Sequence, residues 1–412
     1  MRIALFRYAQ TPNPVYGELA SALRQRGHTV WLATPNPQGN IEWHDGKQVV
    51  GVQQMPRLLW GDLHRLPLVA TLVKRLSFLL LIWRVRAFLR QWQPDLVQVN
   101  PASIYGVWLL PWRMAPIAFV LDWRQIAERS SHGLLGKLKD GWAKLWRRFN
   151  TTWMYDRACF LHPAGARQLL GADWARWGSV VPLGVDARFL RPTVADRVDE
   201  SADTHSRPGV RVVRFIYVGT LSRVRRLEQL IYAVDQLRTQ TTDFHVTLLG
   251  PDTAGGYYHQ LVHDLDLGGQ ITIRPALAYD QIPHETIQHD VALAYVPSQP
   301  RDWQFHPTLK VLEYRALGLP ILATDFAPNR DVVETGVNGL LAANTVDSLA
   351  NAMLQFIIDP DFLAHCRRNA RNMRVGVTWA DLAEQYEQRV YAPLLALKRP
   401  ITSATTPRAQ RV

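Results

Sequence analysis

The sequence predicts an α/β protein made of two Rossmann-like units, and three observations carry that reading. Short apolar runs alternate with segments of helical periodicity along nearly the whole chain, the pattern of parallel strands covered by helices. The alternation falls into two series, each about the size of one domain, within 412 residues. Between them, Thr193 to Arg211 is polar and rich in Asp, Ser, Thr, Pro and Gly, which is linker composition. An apolar fraction of 47% with 20% charged residues fits a chain with a substantial core and excludes wholesale disorder or collagen-like repetition.

In the first unit, residues 1–192, strands are expected at Ile3–Phe6, Thr29–Ala33, Leu96–Asn100, Ile117–Leu121, Cys159–His162 and Val180–Pro182. The helix Glu18–Gln25 between the first two stops at Gly27, as a helix C-terminus should. After the linker, residues 193–211, the second unit spans 212–378. Its strands are expected at Arg214–Val218, His245–Leu249, Ile271–Arg274, Val291–Val296 and Ile321–Thr324. Strands separated by helices imply parallel sheets covered on both faces. A helix over 379–396 and a disordered tail over 397–412 complete the chain; Arg399 onward has linker character.

The net charge of +12 resides wholly in the first half, where residues 1–200 hold 26 Lys and Arg against 14 Asp and Glu. A basic surface of this kind favours anions: phosphate-bearing substrates, an acidic membrane or nucleic acid. Nucleic acid is the weaker fit, because no recognised module is present and the tryptophans follow a helical period. No secretory signal is visible at Met1–Phe6, and Leu66–Trp92 carries too many basic residues for an ordinary membrane span. Two cysteines, Cys159 and Cys366, in no ligand-like spacing make no disulfide scaffold and suit a reducing compartment. The expected location is cytoplasmic, in solution or peripheral on the membrane's inner face.

Leu134 to Trp153 places Leu134, Leu138, Trp142, Leu145, Trp146, Phe149 and Trp153 on one stripe, with Lys137, Lys144, Arg147 and Arg148 largely off it. Leu66–Trp92 is similarly apolar and basic. Two readings stand: core-facing helices with solvated cationic flanks, or an interfacial surface that inserts Trp and Leu among anionic lipid headgroups.

Two segments carry candidate chemistry. In Tyr217-Val218-Gly219-Thr220-Leu221-Ser222-Arg223-Val224-Arg225-Arg226 a strand ends in glycine and turns into a helix, and three arginines supply forked donors for phosphate. In His306 to Pro320, Pro307 suits a helix opening whose free amides at Thr308 and Leu309 can hold a phosphate. Lys310 stands in the first turn against the helix dipole, which a bound anion would answer. Glu313, one turn on from Leu309, can accept two ribose hydroxyls, or it can pair with Lys310 on an ordinary surface helix. His259 and His263 have metal-ligand spacing but no third partner in view, and no metal site is expected.

These motifs, in this order, resemble the retaining glycosyltransferases of the GT-B fold in the large family 4-type group. The resemblance runs over about residues 1–395. Glu18 through Val30 resembles the family's first helix and second strand. Pro182-Leu-Gly-Val-Asp186, followed by Phe189 and Pro192, is similar to its segment before the domain linker. Val218 to Arg225 resembles its donor-phosphate loop, with Arg225 where a Lys commonly stands. Pro307 to Thr324 is the most specific match, and Trp379 heads a helix like the one that crosses back to the N-terminal domain.

The resemblance implies two Rossmann-like domains facing across a cleft, the first binding acceptor and the second a nucleotide-sugar. It implies that Gly219, Thr220, Arg223 and Arg225, with the Thr308 and Leu309 amides and Lys310, hold the donor diphosphate. Glu313 would take the ribose, Leu277 would touch the base, and Asp122 would face the donor sugar as the catalytic residue. The implied reaction moves a hexose from a UDP- or GDP-type donor to a glycan or lipid-linked acceptor with retention, in cell-surface polysaccharide or glycolipid synthesis. It requires no cofactor and no metal, because cationic side chains and helix dipoles stabilise the leaving diphosphate. Three departures accompany it. Phe305 stands where the first Glu of a Glu-x7-Glu pattern contacts the sugar, Tyr8–Pro14 lacks paired glycines, and Arg226 replaces a glycine. They keep two alternatives in view: an impaired relative that binds nucleotide-sugar or glycan, and a GT-B epimerase.

Overall fold

The computed structural model describes all residues except 8–13, 37, 55–66, 101–108, 113, 125–133, 193–210, 299–300 and 399–412. All of the expected linker but Arg211, most of the expected tail and nearly all of the early loop Tyr8–Pro14 therefore lie outside the described residues.

Fourteen strands are described, in two sheets: β1 (Arg2–Arg7), β2 (Thr29–Pro35), β3 (Ile41–Asp45), β4 (Gln48–Gln53), β5 (Leu96–Asn100), β6 (Ala118–Trp123), β7 (Arg157–Phe160), β8 (Gly178–Val180), β9 (Val213–Val218), β10 (Phe244–Leu249), β11 (Ile271–Arg274), β12 (Val291–Ala294), β13 (Ile321–Thr324) and β14 (Gly339–Ala342). The first sheet runs β4-β3-β2-β1-β5-β6-β7-β8 and the second β11-β10-β9-β12-β13-β14. In each, the order reverses beside the first strand of the unit, and ligands in doubly wound sheets sit at the carboxyl ends of the strands at that point.

The second sheet is parallel throughout its described pairs. The first is not, which corrects the all-parallel expectation: β3 pairs antiparallel with both β2 and β4. The two-residue turn of the β3–β4 hairpin is Gly46-Lys47, between the paired Asp45 and Gln48, and Gly46 takes φ +62°. A glycine at the first position of a two-residue hairpin turn supplies the positive φ that such turns need. Trp43 from this hairpin is fully buried and its ring lies 5.3 Å from Phe88. Phe88 belongs to the helix Pro67–Trp92, whose C-terminal half packs onto the hairpin edge. Leu81, Ile82, Val85 and Leu89 of that helix are buried, so there the core-facing reading holds.

The chain's last described segment returns to the first domain. Helix Trp379–Tyr386, a π-turn at Glu387–Tyr391 and helix Ala392–Lys398 bury Trp379, Leu382, Tyr386, Val390, Tyr391 and Leu394 in one cluster with Ile3, Leu5, Tyr16 and Leu19. A Cβ at Gly184 would meet the Trp379 ring at 2.6 Å, so only glycine lets the chain pass there. Helix persists to Lys398, whose ammonium pairs with Asp156 at 2.6 Å, two residues beyond the expected limit of 396.

This return is locked by a buried polar network centred on Asp122. Its carboxylate accepts from Tyr16 at 2.5 Å, from Gln98 and Arg124 at 2.9 Å each, and from Tyr386 at 3.3 Å. Arg124 also donates to the Tyr386 hydroxyl at 3.0 Å, and Tyr391 donates to Gln98. A buried ion pair holds only while every member is satisfied. Arg124→Met leaves Asp122 charged without its cation and should cost about 3–5 kcal/mol, read as a lower urea midpoint at unchanged slope. A loss under about 1 kcal/mol would mean that the network does not hold the terminal helices.

Candidate active site

The second domain gathers the candidate residues at the carboxyl ends of β9 and β12. β9 ends at Val218, and Gly219 follows with φ +154°. Beside it Gly250 takes φ +153°, and a Cβ there would lie 2.1 Å from the Gly219 carbonyl oxygen. Two bare backbones therefore run against each other and hold the loop. A short 3-10 turn, Arg223–Arg225, carries the chain to helix Glu228–Arg238. Arg226 closes the turn in the left-handed conformation at φ +48°, the geometry that glycine takes without steric cost.

Helix Leu309–Leu317 begins two residues later than Pro307 suggested: Thr308 is its N-cap and Pro307 precedes it. The Thr308 side chain makes no capping bond, and its hydroxyl is buried with no partner among the described residues. Lys310 is buried in the first turn. Its ammonium lies 3.9 Å from the Tyr217 ring centre and makes a 3.4 Å bond to the Tyr295 carbonyl. Burial, with Arg225 nearby, drives the Lys310 pKa well below its ordinary value. The Tyr217 hydroxyl is also buried without a partner, and burial pushes its pKa up to about 12. A buried cation and two orphaned hydroxyls beside uncapped helix amides form a cradle for an anion.

The arginines are held by aromatic faces that the sequence did not single out. The Arg225 guanidinium lies 4.6 Å from the Trp303 ring centre, and that of Arg223 lies 3.4 Å from Tyr257. Such stacking orients a guanidinium without neutralising it. Arg225 faces Lys310 closely enough to depress it, whereas Arg223 is exposed. Thr220 is half-buried in the loop that leads to them. The helix is tied to the loop by Tyr314, whose hydroxyl accepts from the Val218 amide at 2.9 Å.

Glu313 is buried and accepts a 2.8 Å bond from the Tyr279 hydroxyl, so the surface pair with Lys310 is not what forms. Burial pushes its carboxyl up to about 7, and the Tyr279 bond opposes the rise. Tyr279 packs on Phe189 at 5.7 Å and under the Arg188 guanidinium at 5.2 Å, and Arg188 forms a forked pair with Asp186. The segment before the linker therefore builds the wall behind Glu313. Leu277 is half-buried on the same side and lines a cavity of about 670 Å³ with Arg188, Arg191, Arg274 and His284.

Asp122 requires a correction. The resemblance implies that it faces the donor sugar, but its carboxylate is 1% exposed and engaged by the four partners described above. Phe305 ends the short turn Arg301–Phe305, whose following residue His306 lies against the first domain. A Cβ at Gly165 would meet the His306 ring at 2.9 Å, and His162 reaches Asp331 at 2.8 Å across the same contact. Among the described residues, no group of three or more His, Cys, Asp or Glu can hold a metal, and His259 and His263 lie nearest to Asp252 and Asp264 respectively.

Two Rossmann-like domains, an anion cradle at the switch point of the second and a terminal helix docked on the first define the GT-B glycosyltransferase fold. The family model "Glycosyl transferases group 1" matches residues 207–373, and "Glycosyl transferase 4-like domain" matches 11–184. The chain belongs to this family of group 1, family 4-type glycosyltransferases. It is similar to a D-inositol 3-phosphate glycosyltransferase of Nocardia farcinica, 28% identical over 232 residues, 53% of this chain and 49% of the relative. The match thus spans about half the length of that curated relative. Sucrose-phosphate synthase from Thermosynechococcus elongatus superposes with a TM-score of 0.69 at 18% identity, covering 96% of this chain and 99% of the other. Anabaena HepE in complex with UDP and glucose superposes at 0.62 and 16% identity, covering 95% and 100%.

The buried carboxyl gives a direct check of this geometry. Glu313 should titrate near 7 by difference infrared spectroscopy of its carboxyl stretch. In Tyr279→Phe, with the opposing bond removed, it should titrate higher. Titration in the ordinary carboxylate range would place Glu313 in water and contradict the packing.

Proposed function

We propose that the chain is a retaining glycosyltransferase that moves a hexose from a nucleotide-diphosphate-sugar to a glycan or lipid-linked acceptor, in cell-surface polysaccharide or glycolipid synthesis. The observation that carries this reading is the Lys310 ammonium, buried with one long hydrogen bond beside the orphaned Thr308 and Tyr217 hydroxyls. A diphosphate satisfies all three. In this reading Arg225 and Lys310 neutralise the phosphates, with Arg223 at the rim and the Gly219–Thr220 loop and the Thr308 and Leu309 amides around them. Glu313 accepts the ribose hydroxyls, and Leu277 borders the base.

The catalytic step breaks the bond between the anomeric carbon and the leaving phosphate oxygen and forms one to the acceptor oxygen on the same face. The acceptor's proton goes to the departing diphosphate, whose developing charge the cations and helix amides stabilise. The site residues supply this stabilisation without a cofactor or metal. Asp122 positions Arg124 and the terminal helices in place of touching the sugar. The UDP and glucose in the HepE complex support a UDP-type donor. The family membership, a basic first domain and the expected location on the cytoplasmic side of a membrane support an acceptor carried there, and no role for nucleic acid.

A second reading is favoured by Phe305 and the committed Asp122, which leave the sugar side without the carboxylates that relatives present: a protein that binds nucleotide-sugar without turnover. Nucleotide release separates the two. With membrane-extracted acceptors, one donor from a UDP- and GDP-sugar panel should show acceptor-stimulated release. Glu313→Ala should raise the donor KM by about tenfold or more, the scale of a lost charged hydrogen bond. Saturable binding with no release under any condition would select the second reading.

A further inference from the structure

The helix Leu134–Phe149 is built the opposite way round from a helix that covers a sheet. Leu138, Trp142, Leu145, Trp146, Phe149 and, in the π-turn beyond, Trp153 are all exposed, at 63, 68, 59, 40, 38 and 79%. Their spacing of four, three, one, three and four residues puts them on one face. The residues turned toward the protein are the small and polar ones: Gly136 and Ala143 are half-buried, and Thr151 is buried with its hydroxyl accepting from the Trp123 indole at 3.0 Å. The core-facing reading of this stripe is therefore overturned. Here sequence periodicity found the face but not the direction in which it points.

Within the stripe the aromatic rings pack on one another. Trp146 stacks on Phe149 at 5.5 Å, and Phe149 on Trp153 at 6.5 Å. Lys137, Lys144 and Arg148 are exposed along one flank, and Asp140 is the helix's single acidic residue. Sixteen residues of helix reach about 24 Å, short of a bilayer's apolar core of about 30 Å. Among the described residues, no helix is long and apolar enough to cross a membrane.

We infer that this face docks on an anionic lipid bilayer, with the aromatic and leucine side chains at the headgroup–acyl boundary and the cations against headgroup phosphates. Charge selects the occupant. In a two-fold pairing of copies through this stripe, cationic flanks would be brought together, which costs binding, whereas an anionic surface complements them. The identification of a lipid partner rests on the reading of the chain as a transferase with a membrane-borne acceptor, and it names the surface that would bring the enzyme there.

The test uses the full chain, sedimented with phosphatidylcholine vesicles or with vesicles containing phosphatidylglycerol. The wild type should bind only the anionic vesicles, less so at high salt. Trp142→Ser combined with Trp153→Ser should bind about tenfold or more weakly, since partitioning follows the apolar area inserted. Lys137→Glu with Lys144→Glu should lose the preference for anionic lipid. Melting temperature and nucleotide affinity should match the wild type in all of these. Absence of wild-type binding, or unchanged binding by the tryptophan variant, would overturn the inference. A dimer in light scattering that the tryptophan variant abolishes would overturn it in favour of self-association. Vesicle binding that persists in a chain without nucleotide affinity would instead sink the transferase reading and leave the surface standing.

Discussion

A lysine ammonium sealed against the face of Tyr217, with a single 3.4 Å bond to a carbonyl, is the constraint around which the second domain is arranged. Burial disfavours the charged form of Lys310 and holds its pKa well below the ordinary value, with the Glu313 charge only partly opposing the shift. Neighbouring features add to that penalty. Arg225 lies close enough to lower the lysine's pKa, and Lys310 stands at the positive end of a helix. An anion bound among these groups reverses each penalty at once, and electrostatic preorganisation of this kind supplies most of the stabilisation in many enzymes.

The surrounding structure holds that arrangement rigid. Tyr314 ties the helix to the end of β9, and the Gly219–Gly250 approach fixes the loop. From the other side, Asp186 and Arg188 clamp Tyr279, which seats the Glu313 carboxyl. Asp186 lies two residues from Gly184, where the crossover helix begins to press on the first domain. The chain that builds the wall behind Glu313 is thus continuous with the chain that joins the domains. The Asp122 network anchors the far end of the same return, which explains why a carboxylate at the end of β6 is structural.

Much of this was legible in sequence because it depends on local patterns. Apolar runs between helices located eleven of the strands, and the residues around Gly219 and Lys310 converge at one strand-end cluster. The misses share a cause: they depend on what packs against what. The β3–β4 hairpin, turning at Gly46-Lys47, lies where the parallel plan predicts no strand. β14 is a four-residue Gly-Leu-Leu-Ala run with no β-branched residue to mark it. Tyr279, Trp303 and Tyr257 reach the site from loops and helices distant in sequence, so no spacing could have flagged them. The outward stripe at Leu138–Trp153 shows the limit of amphipathicity, which defines a face without saying what lies on it.

The most direct test is a crystal structure of the chain with an intact nucleotide-sugar bound. The account predicts the diphosphate between Arg225, Lys310 and the start of helix Leu309–Leu317, with the ribose on Glu313. Density for the diphosphate in the arginine-lined cavity of Arg188, Arg191 and Arg274, with Lys310 untouched, would contradict it.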